Sequence, residues 1–526
     1  MIFLRKEKSN MKIQRVLALA MAASLLISFT AFAGAPEMPD NAGQAPAGQE
    51  SGEQAPGDAS DGQMPDGQSE GQEGQGESAG GAGGGMGMPP GGSASAPSEY
   101  EAAITVSEDT TYDGETLTSE NSNENALHVT GGAVVNVKNC TVTKSGDASG
   151  GDSSSFYGVG ATLFVSEGEL YVSDTEITSE AAGGTGVFAY DTGVAYVSNT
   201  TIRNSGSNSC GGIHAAGGGT LYAWNCDVET TGGSSAAIRS DRGGGLMVID
   251  GGRYVTQNGT GAVYCTADIT VHDAYLYAGQ SEAMAIEGKN TIRLFDCSLE
   301  GNMQATATND NKVWNCIVYQ SMSGDADVGT SEFDMIGGEL ICHAGPVVFN
   351  TNTSSYITFS DCDITYGDDT TYFLQVTGNS SSRTWGTAGK NGANCIFSAY
   401  NQVMSHDVMY DTISTLEFYL LDGSAWEGAM ICDNEYNGGY EGEGLANVYV
   451  DETSTWTVTG DSTINGTLYL AGTLEGAQVV GTDGTVYVEG DGYTVTVGGF
   501  ETTVDSSAAG TIPVWEDYAV ENPFAE

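Results

Sequence analysis

The residues that could do chemistry in this chain stand in columns. One column collects His128, Phe164, Phe188, His214, Arg239, Tyr264 and Glu287 at matching places in successive repeats. Asp241 and Arg242 follow Arg239, and Asp268 and Lys289 fall in the corresponding loops one and two repeats on. A second column carries Tyr171, Tyr196 and Tyr222, and a third carries Trp224, Asp250, His272, Phe295 and Trp314. All of them alternate with apolar residues, so strand geometry turns them outward while the apolar residues face in. Aromatic rings displayed on a flat sheet suit the CH faces of sugars. The predicted ligand-binding set is therefore Tyr171, Tyr196, Tyr222, Trp224, His272, Phe295, Trp314, His214 and Tyr264. Two plainer readings stand beside it. Stacked aromatics stabilise a repeat array by themselves, and an insertion or the 365–415 segment could fold over the face. The charged members could equally form an exposed mixed-charge ladder.

What positions these columns is a short recurring stretch. Val137-Lys138-Asn139-Cys140-Thr141-Val142 returns as Val172-Ser173-Asp174-Thr175-Glu176-Ile177 and again as Ala223-Trp224-Asn225-Cys226-Asp227-Val228. Ten copies can be followed to Asp361, their third positions reading Asn139, Asp174, Asn199, Asn225, Gly251, Asp273, Asp296, Asn315, Gly337 and Asp361. These residue types adopt a left-handed backbone at least cost. A strand, a one-residue corner and another strand, recurring about every 22–26 residues, predicts a solenoid of three-strand coils. The column could be mistaken for a metal ladder, but glycine at two of its positions leaves backbone geometry as the common cause. The next slot holds Cys140, Cys226, Cys297, Cys316 and Cys362, or Thr, Ala and Gly elsewhere. That exchange predicts small inward packing sites with free thiols, although Cys297 and Cys316 would be close enough to bridge.

The ends of the chain differ in kind. Five basic residues precede an apolar run, Val16 to Phe32, which closes on Ala31-Phe32-Ala33; this predicts a secretory signal over 1–33. Cleavage there removes five of 16 basic and one of 69 acidic residues, leaving 11 against 68, a net charge of −57. Such a surface repels nucleic acid and anionic lipid and is compatible with neutral glycans, basic partners or divalent cations. Residues 34–98 are mostly Gly, Pro, Gln, Ser, Ala and acid, with no Lys, Arg, Val, Ile, Leu or aromatic residue, which predicts a disordered acidic tether. Coils are expected over 99–364, an irregular segment over 365–415, further coils over 416–504, and a tail over 505–526.

The repeat resembles the right-handed parallel β-helix of the pectate-lyase-like superfamily, where an Asn-rich ladder occupies the corner between second and third strands. The resemblance implies an all-β, right-handed parallel β-helix fold, and places a substrate cleft on the outer face of the first strand. It also implies a calcium-dependent polysaccharide lyase as one expectation, with Arg239, Glu287, Asp241 and Asp268 as its residues. Such chemistry needs carboxylates to hold calcium beside a uronate and a base to take a proton; here the acids are scattered over several coils. The hydrolase version of the fold needs paired carboxylates facing one bond, and no such pair is fixed. The segments Arg383–Gly392 and Ile413–Ser424 resemble those of secreted bacterial adhesin-like β-helix proteins. The expected function is binding of extracellular polysaccharide or a host or cell-surface ligand on exposed strand faces, by a secreted or surface-associated monomer without a membrane span. No cofactor is expected beyond possible calcium, and a purely structural surface component is the third reading.

Overall fold

The computed structural model describes residues 95–149, 151–207, 211–379 and 385–525. The expected signal and nearly all of the expected tether lie outside them. The described chain winds into a parallel β-helix whose three rows of strands are stacked coil upon coil. Every strand pairing is parallel except one hairpin between Ala477–Gly481 and Val486–Val488. One coil illustrates the pattern: Gly211–Ala216 supplies the first row, and Gly219–Thr230 supplies the second and third rows across a corner at Asn225. Pairing to the next coil is residue for residue, as in Tyr222 with Val248, Trp224 with Asp250 and Val228 with Tyr254. Each inward column is completely buried, for example Val129, Val165 and Ala189 in the first row and Leu170, Ala195 and Leu221 in the second. Each fully buried valine or leucine contributes about 1.5–3 kcal/mol relative to exposure, so the repeat is stabilised coil by coil.

The corner works as its residue types require. Asn139, Asp174, Asn199, Asn225, Gly251, Asp273, Asp296, Gly337 and Asp361 all have φ between 45° and 73°. The slot after the corner points inward, and Cys140, Cys226, Cys297 and Cys362 are buried in it. Their thiols donate to backbone carbonyls, as Cys297 does to Val271 at 3.5 Å. Burial pushes the Cys226 thiol up to about 11 and the Cys297 thiol to about 12. The nine described cysteines are all free.

Two expectations about register are corrected. Asn315 is not a corner. Cys316–Tyr319 is a first-row strand, paired with Met284–Glu287 and Val348–Thr351. The corner that follows Asp296 is Gly337, because insertions lengthen the intervening coil. Cys316 therefore sits in a different row from Cys297, and no bridge forms between them. The second correction concerns 365–415. Asn394–Tyr400 pairs with Ser354–Ser360 below and Thr415–Leu421 above. The corner ladder continues through Asn401 and Asp422 at φ of 47° and 54°. The coils run on through this segment, with inserted loops leaving them between strands.

Candidate functional site

The first-row outer column pairs as the repeat implies: His128 with Phe164, Phe164 with Phe188, Phe188 with His214, His214 with Arg239, and Arg239 with Tyr264. Beyond Tyr264 the partner is Ala285; Glu287 lies two residues further along the same face. This face is not open. Phe164, Phe188 and His214 are fully buried, and Arg239 and Tyr264 nearly so. The reason is insertion: the helical turn Asp152–Ser155 and its flanks fold over the row, and Phe156 is itself buried there.

Beneath that cover lies a polar network. The Arg239 guanidinium donates from Nε to Asp241 at 2.6 Å and from Nη1 to the Ser234 carbonyl at 2.9 Å, and lies over the Tyr264 ring at 5.1 Å. His214 stacks on Phe188 at 4.1 Å, and its Nε2 is 3.3 Å from the Asp241 carboxylate, near enough for charge pairing but outside hydrogen-bond geometry. Burial keeps the imidazole below its ordinary value, against the opposing pull of Asp241. Burial alone would raise Asp241, yet Arg239 and His214 hold it net below the usual carboxylate range. Glu287 accepts from Tyr264 and Tyr319 hydroxyls at 3.0 Å each and from Ser321. Burial raises its pKa, partly offset by those donors.

The network opens into a cleft of about 170 Å³. Its floor is Arg239, Asp241 and Tyr264; Asp152, Ser155 and Phe156 form one wall, and Ser234, Thr260 and Asp325 the rest. Arg242 pairs with Asp325 at 3.2 Å and lies over the Phe156 ring at 4.3 Å, tying two inserted loops together. The cleft thus sets the edges of Phe156 and Tyr264, each with a guanidinium over its ring, beside polar groups held in place by ion pairs, a composition able to meet hydroxyls and CH groups at once.

The four lyase-type residues divide. Arg239, Asp241 and Glu287 share this network, whereas Asp268 belongs to the second row and receives Arg293 at 2.6 Å. The Arg239 guanidinium is held by Asp241 and the Ser234 carbonyl. Among the described residues no group of three or more His, Cys, Asp or Glu side chains is placed to hold a metal.

The second-row columns meet the end of the chain. Tyr171, Tyr196 and Tyr222 form a half-buried ladder, with Tyr171 and Tyr196 stacked at 4.5 Å and 8°. Rings stacked this closely occupy each other's faces and leave edges and hydroxyls outward, so they offer little platform to a sugar. The tail runs back along this surface. Gly510 donates to Ser398 and accepts from Tyr400. Trp515 stacks on His272 at 4.5 Å, and Tyr518 lies against Phe295 and over Arg293. Phe524 meets Tyr171 and Trp224 edge-on. Trp224 and Phe295 are consequently buried rather than displayed. Trp314 is not in this column, where Ile336 follows Phe295. It packs beside the first row against Phe349 and Trp385.

Sequence reasoning missed Asp152, Phe156, Asp325 and Tyr319. The signal available was the long interval between Asn139 and Asp174, which marks the loop that roofs the site.

Residues 125–322 match the family described as a right handed beta helix region. The match spans the coils that carry the cleft, and the protein is a right-handed parallel β-helix. No curated protein matches the chain significantly. Among the described residues no helix is long and apolar enough to cross a membrane.

Proposed function

We propose that the chain is an exported, surface-associated, adhesin-like β-helix protein that binds neutral glycan in the first-row cleft. The observation that supports this most directly is the lining of that cleft. Phe156 supplies an apolar part of the wall and Tyr264 of the floor, while Asp152, Asp325, Ser155 and Thr260 supply acceptors and hydroxyls. Its charges favour a neutral ligand over a uronate. Arg239 is matched by Asp241 and Arg242 by Asp325, and Asp152 forms no ion pair among the described residues. An acidic sugar would meet a net negative site without an uncommitted cation. The chain as a whole, at −53, adds to that bias.

The test is a binding panel of neutral and uronate oligosaccharides against the whole chain. Neutral oligosaccharides are expected to bind. Asp152→Ala, at an exposed position, should weaken them about tenfold or more, since a hydrogen bond to a charged group contributes ~1.5–3 kcal/mol. Preference for uronates, or calcium-dependent release of unsaturated uronide, would overturn the reading.

A further inference from the structure

The third row is broken once among the described residues. Asp363–Thr370 pairs with Glu339–Gly345 on one side and with no strand on the other. The next strand of that row, Val403–Ser405, pairs only with Ala425–Gly428 and begins a separate sheet of four strands. Between the two free edges is a cleft of about 340 Å³.

The peptide groups that face this gap follow from the alternation of a parallel ladder. The Asp363 N–H donates to the Gly338 carbonyl at 2.9 Å, away from the gap. Ile364 and Tyr366 therefore direct their N–H and C=O groups into it, where no strand pairs them. On the opposite wall Ala425 donates to the Gln402 carbonyl at 2.9 Å, which leaves Val403 and Ser405 facing the gap.

Two side chains stand where a strand would. The Gln402 amide accepts from the Cys362 N–H at 2.8 Å and donates to the Cys362 and Val403 carbonyls at 2.8 and 2.9 Å. The Tyr366 hydroxyl accepts from the Ser405 N–H at 3.0 Å, and its ring stacks on His406. Gln402 closes the corner end of the gap and the Tyr366–Ser405 hydrogen bond crosses its far end, which an added strand displaces; between them no strand pairs the two edges. Val403 is 72% exposed there. Asp363 and Glu427 flank the cleft, and neither forms an ion pair among the described residues.

An unpaired strand edge is a template for another strand. We propose that this gap is a strand-addition site for an extended peptide segment of a partner protein, with alternating apolar residues and flanking Lys or Arg. Backbone pairing to Ile364 and Tyr366 supplies the register. Ile364 and Met404, which face inward, receive the apolar side chains, and the outward Asp363 and Glu427 select the basic flanks.

The experiment uses the whole chain and a fluorescent hexapeptide, Lys-Thr-Val-Thr-Val-Lys, read by anisotropy. Saturable binding is expected. It should vanish when alternate amides of the peptide are N-methylated, because pairing to the edge is then blocked. Replacing its lysines by glutamates, or using the double variant Asp363→Lys and Glu427→Lys, should weaken it about tenfold. Both substitutions are at exposed positions, and an unchanged melting temperature would show that the fold is retained. Absence of saturable binding, equal binding of the N-methylated peptide, or indifference to charge reversal would each refute the proposal.

Discussion

His128 ties the stability of the first coils to pH in a way that can be isolated. It is 6% exposed, wedged between Tyr100 and Phe164 with ring centroids at 5.1 and 4.9 Å, and its Nε2 is 2.7 Å from the Ser166 hydroxyl. Burial lowers its pKa from 6.5 to about 4. Above pH 6.5 the imidazole is neutral in both folded and unfolded chains and contributes no pH dependence. As pH falls from 6.5 towards 4, the unfolded chain takes up a proton that the folded chain refuses, so stability declines across that window. Between pH 7 and pH 5 the loss is about 2 kcal/mol. Other buried groups titrate too; His214 acts in the same direction, and Glu287 and Asp334, with raised pKa values, act in the opposite one. The comparison with His128→Phe removes them, because phenylalanine suits the aromatic surroundings and leaves the other groups in place. A solenoid opens in segments, so the readout is native-state hydrogen exchange of the Asn125–Val129 strand. The wild-type-minus-variant difference should shift by about 2 kcal/mol between the two pH values. A difference that stays constant within about 0.5 kcal/mol would refute the assigned burial penalty.

Removal of residues 505–526 should uncover Trp224 and Phe295 while leaving the coils folded. Red-shifted tryptophan emission and stronger acrylamide quenching would report it, and unchanged spectra would show that the tail does not shield this face. At the corner, Asn199→Val places a β-branched residue at φ 45° and should cost about 1–2 kcal/mol or more, whereas Asn199→Gly should be close to neutral. Equal denaturation midpoints for the two variants would contradict the backbone account of the corner ladder.

Architecture was legible wherever one residue's backbone had to do something unusual. Nine of the ten corner positions read from the sequence have left-handed φ, because only a few residue types adopt it cheaply. The tenth failed for a reason that pattern matching cannot see. Trp314-Asn315-Cys316 copies Trp224-Asn225-Cys226 in composition, but insertions before and after it shift that stretch into the first row. Insertions hid the site as well, the one between Asn139 and Asp174 above all. Alternation along a strand tells which side chains point out, and it did so correctly for His214, Arg239 and Tyr264. It carries no information on what lies above them, and the Asp152–Ser155 turn and the Asp325 loop supply both the roof and half of the cleft. The tail was unreadable for a related reason: Trp515, Tyr518 and Phe524 belong to no repeat, and their partners are more than 200 residues away in the chain.

A crystal of the whole chain soaked with the best-binding neutral oligosaccharide distinguishes glycan in the first-row cleft from glycan on the aromatic ladder of the second row. A sugar residue is expected beside Phe156 and Tyr264, within hydrogen-bond reach of Asp152 and Asp325. Density along Tyr171, Tyr196 and Tyr222 instead, with the cleft unchanged, would contradict that placement.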